Sequence, residues 1–292
     1  MSAAFGARLA DAVAARGPLC VGVDPHPPLL ERWGLPDSPE GLARFTDAVV
    51  DALAGTVAVL KPQMAFYERH GSRGAAVLED AVARARAAGA LVLLDAKRGD
   101  IGSTMDAYAD YLRPDHPLAV DALTVSPYLG PGSLQPAVDT ARQHGGGLFV
   151  LARTSNPDAG TFQHAVVGER SVAQVVVDTV RGWNTPEWVV GDPLPDIGSA
   201  RDVASRFGPA TGSFGVVVGA TLAELDVDLT GLGGPVLAPG LGAQGGSPED
   251  LRRLFGRGAA VVPTVSRDVL TAGPGAAGLR AAAQRWAEAL AR

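Results

Sequence analysis

Apolar, β-branched runs of four to eight residues recur along the chain, separated by longer Ala/Arg/Glu-rich stretches whose apolar positions return with helical period. Eight runs predict strands, at 19–24, 57–61, 90–97, 122–125, 147–152, 214–219, 235–238 and 259–265. Helical spacing predicts helices over 40–54, 74–88, 103–112, 134–144, 248–255 and 278–291. Strand alternating with helix is the pattern of βα units on a parallel sheet. In 292 residues, eight such units fit a (β/α)8 TIM barrel better than a doubly wound sheet with a second domain. The expected class is therefore α/β, with one barrel domain over 1–292. One stretch breaks the rhythm. From 154 to 212 the chain runs through Pro/Gly-rich turns around a helix at 171–183 and an Ala/Arg segment at 199–207, which predicts a loop-and-helix insertion after the fifth strand.

With 47% hydrophobic residues the chain can bury a full core. A formal charge of −6, the lack of a basic run and 5% aromatic content argue against a nucleic-acid surface. A small anionic ligand stays open, because local charge decides that. Cys20, the one cysteine, lies in Leu19-Cys20-Val21-Gly22-Val23 and reads as a small core residue in a reducing compartment. The first 17 residues carry Arg8, Asp11 and Arg16 at helix-like spacing and lack the apolar stretch of a signal peptide. No segment approaches a membrane span. A soluble cytoplasmic protein is expected.

Barrels of this kind place their chemistry at the carboxyl ends of the strands. The polar residues there are Asp24, Lys61, Asp95, Lys97, Asp100 and Ser126, then Arg153, Thr154 and Asn156, the 240–246 loop, and Ser266 with Arg267. Two stand out by rarity: of 25 Lys and Arg residues, only Lys61 and Lys97 are lysines. Guanidinium serves about as well for solvation, ion pairing or phosphate binding, so a retained lysine points to a compact ammonium or a proton that can leave. Asp95 and Lys97, two apart on a strand, share a face. A structural ion pair is the plainer explanation for one such pair. Two lone lysines in equivalent settings favour catalysis.

The loop Gly240-Leu241-Gly242-Ala243-Gln244-Gly245-Gly246 contains G-x-G-x-x-G between a strand and a helix start. A dinucleotide-binding turn wants an acidic residue at the end of the next strand, where this chain has Ser266-Arg267. Backbone N–H groups at a helix start suit an anion, and barrel loops after strands seven and eight often hold phosphate. With the Arg267 guanidinium fork, the loop predicts a phosphate-monoester grip. The five histidines show no metal-ligand spacing, and no G-x-S-x-G nucleophile turn joins a strand to a helix. No metal site and no covalent serine chemistry are expected.

These segments, taken in order, resemble the orotidine 5′-phosphate decarboxylase family in its longer bacterial branch. Leu94-Asp95-Ala96-Lys97-Arg98-Gly99-Asp100-Ile101-Gly102-Ser103-Thr104 is similar to the family's D-x-K-x-x-D-I-x-x-T signature. Val21-Gly22-Val23-Asp24, Leu60-Lys61-Pro62-Gln63, the Ala238–Gly246 segment and Ser266-Arg267 support it, and 154–212 is covered least. The resemblance implies an alternating charge network of Lys61, Asp95, Lys97 and Asp100, with Asp100 reaching in from the neighbouring subunit of a homodimer. It implies Lys97 as proton donor, Asp24 and Thr104 near the ribose hydroxyls, and Ser126 at the pyrimidine. Gln244 and Arg267 are implied at the phosphate, with Ser266 in a phosphate turn where the family often has Gly, and Pro239 is implied among the substrate-binding residues. The implied reaction is cofactor-free decarboxylation of orotidine 5′-monophosphate to uridine 5′-monophosphate.

Three other readings compete. Sister barrels that decarboxylate or condense sugar phosphates share the D-x-K-x-x-D strand but hold a divalent metal with an acid where this chain has Lys61, whose ammonium repels such an ion. A Schiff-base aldolase needs a lysine of lowered pKa, whereas two flanking aspartates raise it. A non-catalytic phosphate-ligand barrel has no use for a costly buried row of alternating charges.

Overall fold

The computed structural model describes residues 3–185, 207–208, 211–256 and 258–291. All eight predicted strands form: β1 (Cys20–Val23), β2 (Val59–Pro62), β3 (Leu91–Arg98), β4 (Ala122–Val125), β5 (Gly147–Arg153), β6 (Phe214–Val218), β7 (Val236–Pro239) and β8 (Val261–Val265). Each pairs in parallel with the next, and β8 returns to β1, with Cys20 opposite Val59 on one side and Thr264 on the other. The closed sheet leaves no edge. The runs are continuously apolar because both strand faces are buried. Cys20, Val59, Leu91, Leu93, Phe149, Val217, Leu237 and Val262 share one core cluster inside the barrel, and the intervening Val21, Leu60, Val92, Leu94 and Val150 belong to a second one under the helices.

The main helices are α1 (Phe5–Arg16), α2 (Pro39–Leu53), α3 (Gly71–Ala87), α4 (Gly102–Ala109), α5 (Gln135–His144), α6 (Val172–Asn184), α7 (Pro248–Phe255) and α8 (Ala276–Ala291). Helix α1 takes no place in the outer ring. Its apolar face of Phe5, Leu9, Ala12 and Val13 joins the interior cluster and closes the end of the barrel away from the site. Phe5 meets the Phe149 ring edge to face at 6.0 Å. Gly147 is needed beneath it, since a Cβ there would lie 2.3 Å from the Phe5 ring. Arg8 secures the plug through Asp121 at 2.5 Å and the Gly145 carbonyl at 2.9 Å.

Two features depart from eight regular repeats. Helix α6, expected within an insertion, packs on β5 and β6 as the outer helix of the fifth unit. Asn184 at its end is fixed by bonds to the Phe214 and Leu232 carbonyls, at 2.7 and 2.9 Å. The sixth unit has a loop over 219–235 in place of a helix. The Ala/Arg segment expected at 199–207 lies outside the described residues except for Phe207. Among the described residues, no helix is long and apolar enough to cross a membrane.

Candidate active site

The end of β3 is irregular, and the irregularity builds the site. Leu94 pairs with Leu123 and Arg98 with Val125, so Asp95, Ala96 and Lys97 bulge opposite Thr124 alone. Lys97 takes a φ of 49°, unique for a non-glycine among the described residues, and such a conformation costs an L-residue about 1–2 kcal/mol. Its amide, turned out of the ladder, donates to Thr124 Oγ1 at 3.0 Å.

The bulge carries the Asp95 carboxylate into a ring of donors. Asp95 Oδ2 accepts from Lys61 Nζ at 2.7 Å and from Gln63 Nε2 at 3.2 Å. Oδ1 accepts from Lys97 Nζ at 2.6 Å and from Thr124 Oγ1 at 2.9 Å. Burial alone pushes this carboxyl upward, but the charges of Lys61 and then Lys97 outweigh it and hold the group well below the usual carboxylate range. Burial likewise disfavours the Lys61 ammonium, yet Asp95 and then Asp24 keep its pKa above that of an ordinary lysine. Both groups are therefore charged. The Lys61 side chain is 6% exposed and that of Lys97 46%, so one ammonium is sealed and the other reaches solvent.

On the far wall, Ser266 Oγ donates to Asp24 Oδ2 at 2.5 Å, and the buried Oδ1 has no hydrogen-bond partner. The approach requires Gly22, where a Cβ would lie 1.9 Å from Ser266 Oγ. Ser266 itself has a φ of −117°, outside the left-handed region that favours glycine, so this position does not require the glycine that the family often has. Ser247 and Asp250 form a capping box on α7, the Ser247 amide donating to Asp250 Oδ2 at 3.0 Å and the Asp250 amide to Ser247 Oγ at 3.2 Å, so part of the helix start expected to hold the anion is capped by the chain itself. The cationic group at this end is Arg267, whose Nη2 lies 3.4 Å from the Ala243 carbonyl.

Eight of the predicted site residues line one open cavity of about 520 Å³: Asp24, Lys61, Asp95, Lys97, Pro239, Gln244, Ser266 and Arg267. Asp100, Thr104 and Ser126 do not line it. Asp100 Oδ1 accepts from the Ile101 amide at 2.8 Å, and Thr104 is exposed on the first turn of α4. Ser126 backs the bulge, its amide donating to the Arg98 carbonyl at 2.7 Å. The loop after β5 instead brings Thr154, Ser155 and Asn156 to the wall, and Gln63, Thr124 and His26 line it too. Thr154 and Asn156 were legible as polar residues at a strand end, and Ser155 between them is the hydroxyl that the sequence reading missed. Arg153 is turned to Asp226, at 2.9 Å. Leu151, Val217 and Leu237 give the cavity an apolar floor.

The family model for the orotidine 5′-phosphate decarboxylase / HUMPS family matches residues 17–282. An orotidine 5′-phosphate decarboxylase of Salinispora arenicola is 57% identical over 284 residues, which is 96% of this chain and 95% of that protein. One of Streptomyces coelicolor is also 57% identical, over 97% of this chain and 95% of the relative. A crystal structure from Streptomyces avermitilis bearing the same enzyme name superposes with a TM-score of 0.87 at 55% identity, covering 99% of this chain and 95% of that one. The family match takes in all eight strands, the bulge of β3 and both walls of the cavity, and the chain belongs to the orotidine 5′-phosphate decarboxylase / HUMPS family.

Proposed function

We propose that the chain decarboxylates orotidine 5′-monophosphate to uridine 5′-monophosphate, the step that completes the pyrimidine nucleotide. The observation that carries the reading is the Asp95 carboxylate held between two ammonium groups, at 2.7 and 2.6 Å, in a cavity whose other end presents Arg267. Breaking the C6–carboxylate bond leaves an electron pair in the plane of the pyrimidine ring, with no adjacent sink. A fixed positive charge must stabilise it and a proton must then quench it. Lys97 supplies both: its Nζ faces the pair and delivers the proton to C6, and its exposure lets water restore that proton. Asp95 and Lys61 keep the ammonium in place.

The substrate phosphate sits at Gln244 and Arg267, the ribose at Asp24 and Lys61, and the Ser155 hydroxyl faces the base. Leu151, Val217 and Leu237 offer apolar surface to the departing carbon dioxide. Enzymes lower barriers by roughly 8–23 kcal/mol, so contacts to the remote phosphate assemble the site as well as bind the substrate. A second copy of the chain supplies Asp100 and Thr104, completing the row of alternating charge. Their position off the chain's own cavity supports this, as do exposed apolar residues on the same rim: Ile101 after β3, Tyr128 and Leu129 after β4, and Phe162 after β5.

The test is incubation of chelator-treated protein with orotidine 5′-monophosphate while the substrate's ultraviolet absorbance is followed. Turnover insensitive to chelator is expected. A lack of turnover, or turnover only after a divalent metal is added, overturns the reading.

A further inference from the structure

We propose that Thr124 is a positioning residue of the decarboxylase, its hydroxyl locking the Asp95 carboxylate and the Lys97 backbone into one unit. The inference rests on the function proposed above. The bulge sets three residues of β3 against Thr124 alone on β4. With the parallel ladder interrupted, the Lys97 amide has lost its strand carbonyl, and Thr124 Oγ1 accepts from it at 3.0 Å. An amide can only donate, so at that contact the hydroxyl must accept. Its single proton is then free for the second neighbour, Asp95 Oδ1 at 2.9 Å, a carboxylate that can only accept. The direction of both bonds follows from chemistry alone.

One oxygen thus ties the backbone of the proton donor to the carboxylate that holds its ammonium. Thr124 is 1% exposed and lies on the lining beneath the charged groups, so no water can easily replace it. As a β-branched residue it has few rotamers to lose on a strand. Lys97 occupies a left-handed conformation that only its surroundings maintain. Removing the hydroxyl leaves a buried amide without an acceptor and Asp95 Oδ1 with one donor fewer. The ammonium then drifts from its place while the nucleotide-binding end of the cavity, formed by other strands, is untouched.

The experiment compares Thr124→Val, Thr124→Ser and Thr124→Ala with the wild-type chain for kcat, KM and thermal unfolding. Hydrogen bonds to charged groups support an expected fall in kcat of about 10- to 100-fold for Thr124→Val and Thr124→Ala, with KM changed by less than about threefold. Thr124→Ser should return kcat to within about threefold of wild type. Ser and Ala differ only in the hydroxyl, so their comparison decides the matter even if the Val variant does not fold. A Thr124→Ala kcat close to wild type, or a Thr124→Ser variant as slow as Thr124→Ala, overturns the proposal. An inactive wild-type chain would instead refute the function on which it rests.

Discussion

Lys97 and arginine carry the same charge, but only lysine releases its proton on the timescale of turnover and fits a single nitrogen against Asp95. Lys97→Arg is therefore expected to lower kcat at least about 1000-fold while leaving thermal unfolding and uridine 5′-monophosphate binding nearly unchanged, since the charge is kept but the transferable proton and its compact placement are lost together. Turnover within tenfold of wild type would remove Lys97 as the proton donor. At this scale much of the site was legible. Two lysines in a chain that otherwise writes arginine are a compositional anomaly, and the spacing of Asp95 and Lys97 named the pair. The regular strand that suggested the pairing is absent, however: the two side chains meet through a bulge with a left-handed residue. Thr124 left no signal. A threonine in an apolar run is simply a good strand former, and its role exists only because β3 loses register beside it. Ser126 and Ser155 show the complementary difficulty, because two hydroxyls follow neighbouring strands and only the fold decides which faces inward.

Elements were more legible than their roles. Eight greasy runs separated by helical stretches are enough to expect a closed parallel sheet, since both faces must be covered. Nothing in the helical spacing of the first 17 residues says that α1 stoppers the barrel. Its apolar face looks like that of any amphipathic helix. The loop of the sixth unit was more legible, since none of the helices expected from the spacing falls between the strands at 214–219 and 235–238. The plug gives an element-level prediction. Phe5→Ala removes a ring buried against Gly147 and Phe149 and should cost about 3–5 kcal/mol in urea unfolding, with KM unaltered because the site is at the opposite end. A loss below about 1 kcal/mol would show that the barrel closes without its stopper.

At the scale of the whole molecule, the proposed site needs two chains. Asp100 follows Lys97 by three residues, yet its carboxylate serves the turn before α4 and not the cavity. If the site is shared, Lys97→Ala and Asp100→Ala chains, each inactive alone, should complement when mixed. Random exchange makes half the dimers mixed, and one site in each is whole, so about a quarter of wild-type activity is expected. No recovery despite demonstrated subunit exchange would place Asp100 in its own chain's site or outside catalysis. The distribution of lysine has one more consequence. Surface cations here are guanidinium groups, Lys61 is sealed, and Lys97 is the one lysine amine with substantial exposure. Reagents that acylate amines, which on most proteins decorate the surface harmlessly, become on this one a selective poison. Coupling it to an activated resin or a fluorescent ester through side-chain amines would label and silence the enzyme in the same stroke, and bound nucleotide would protect it from both.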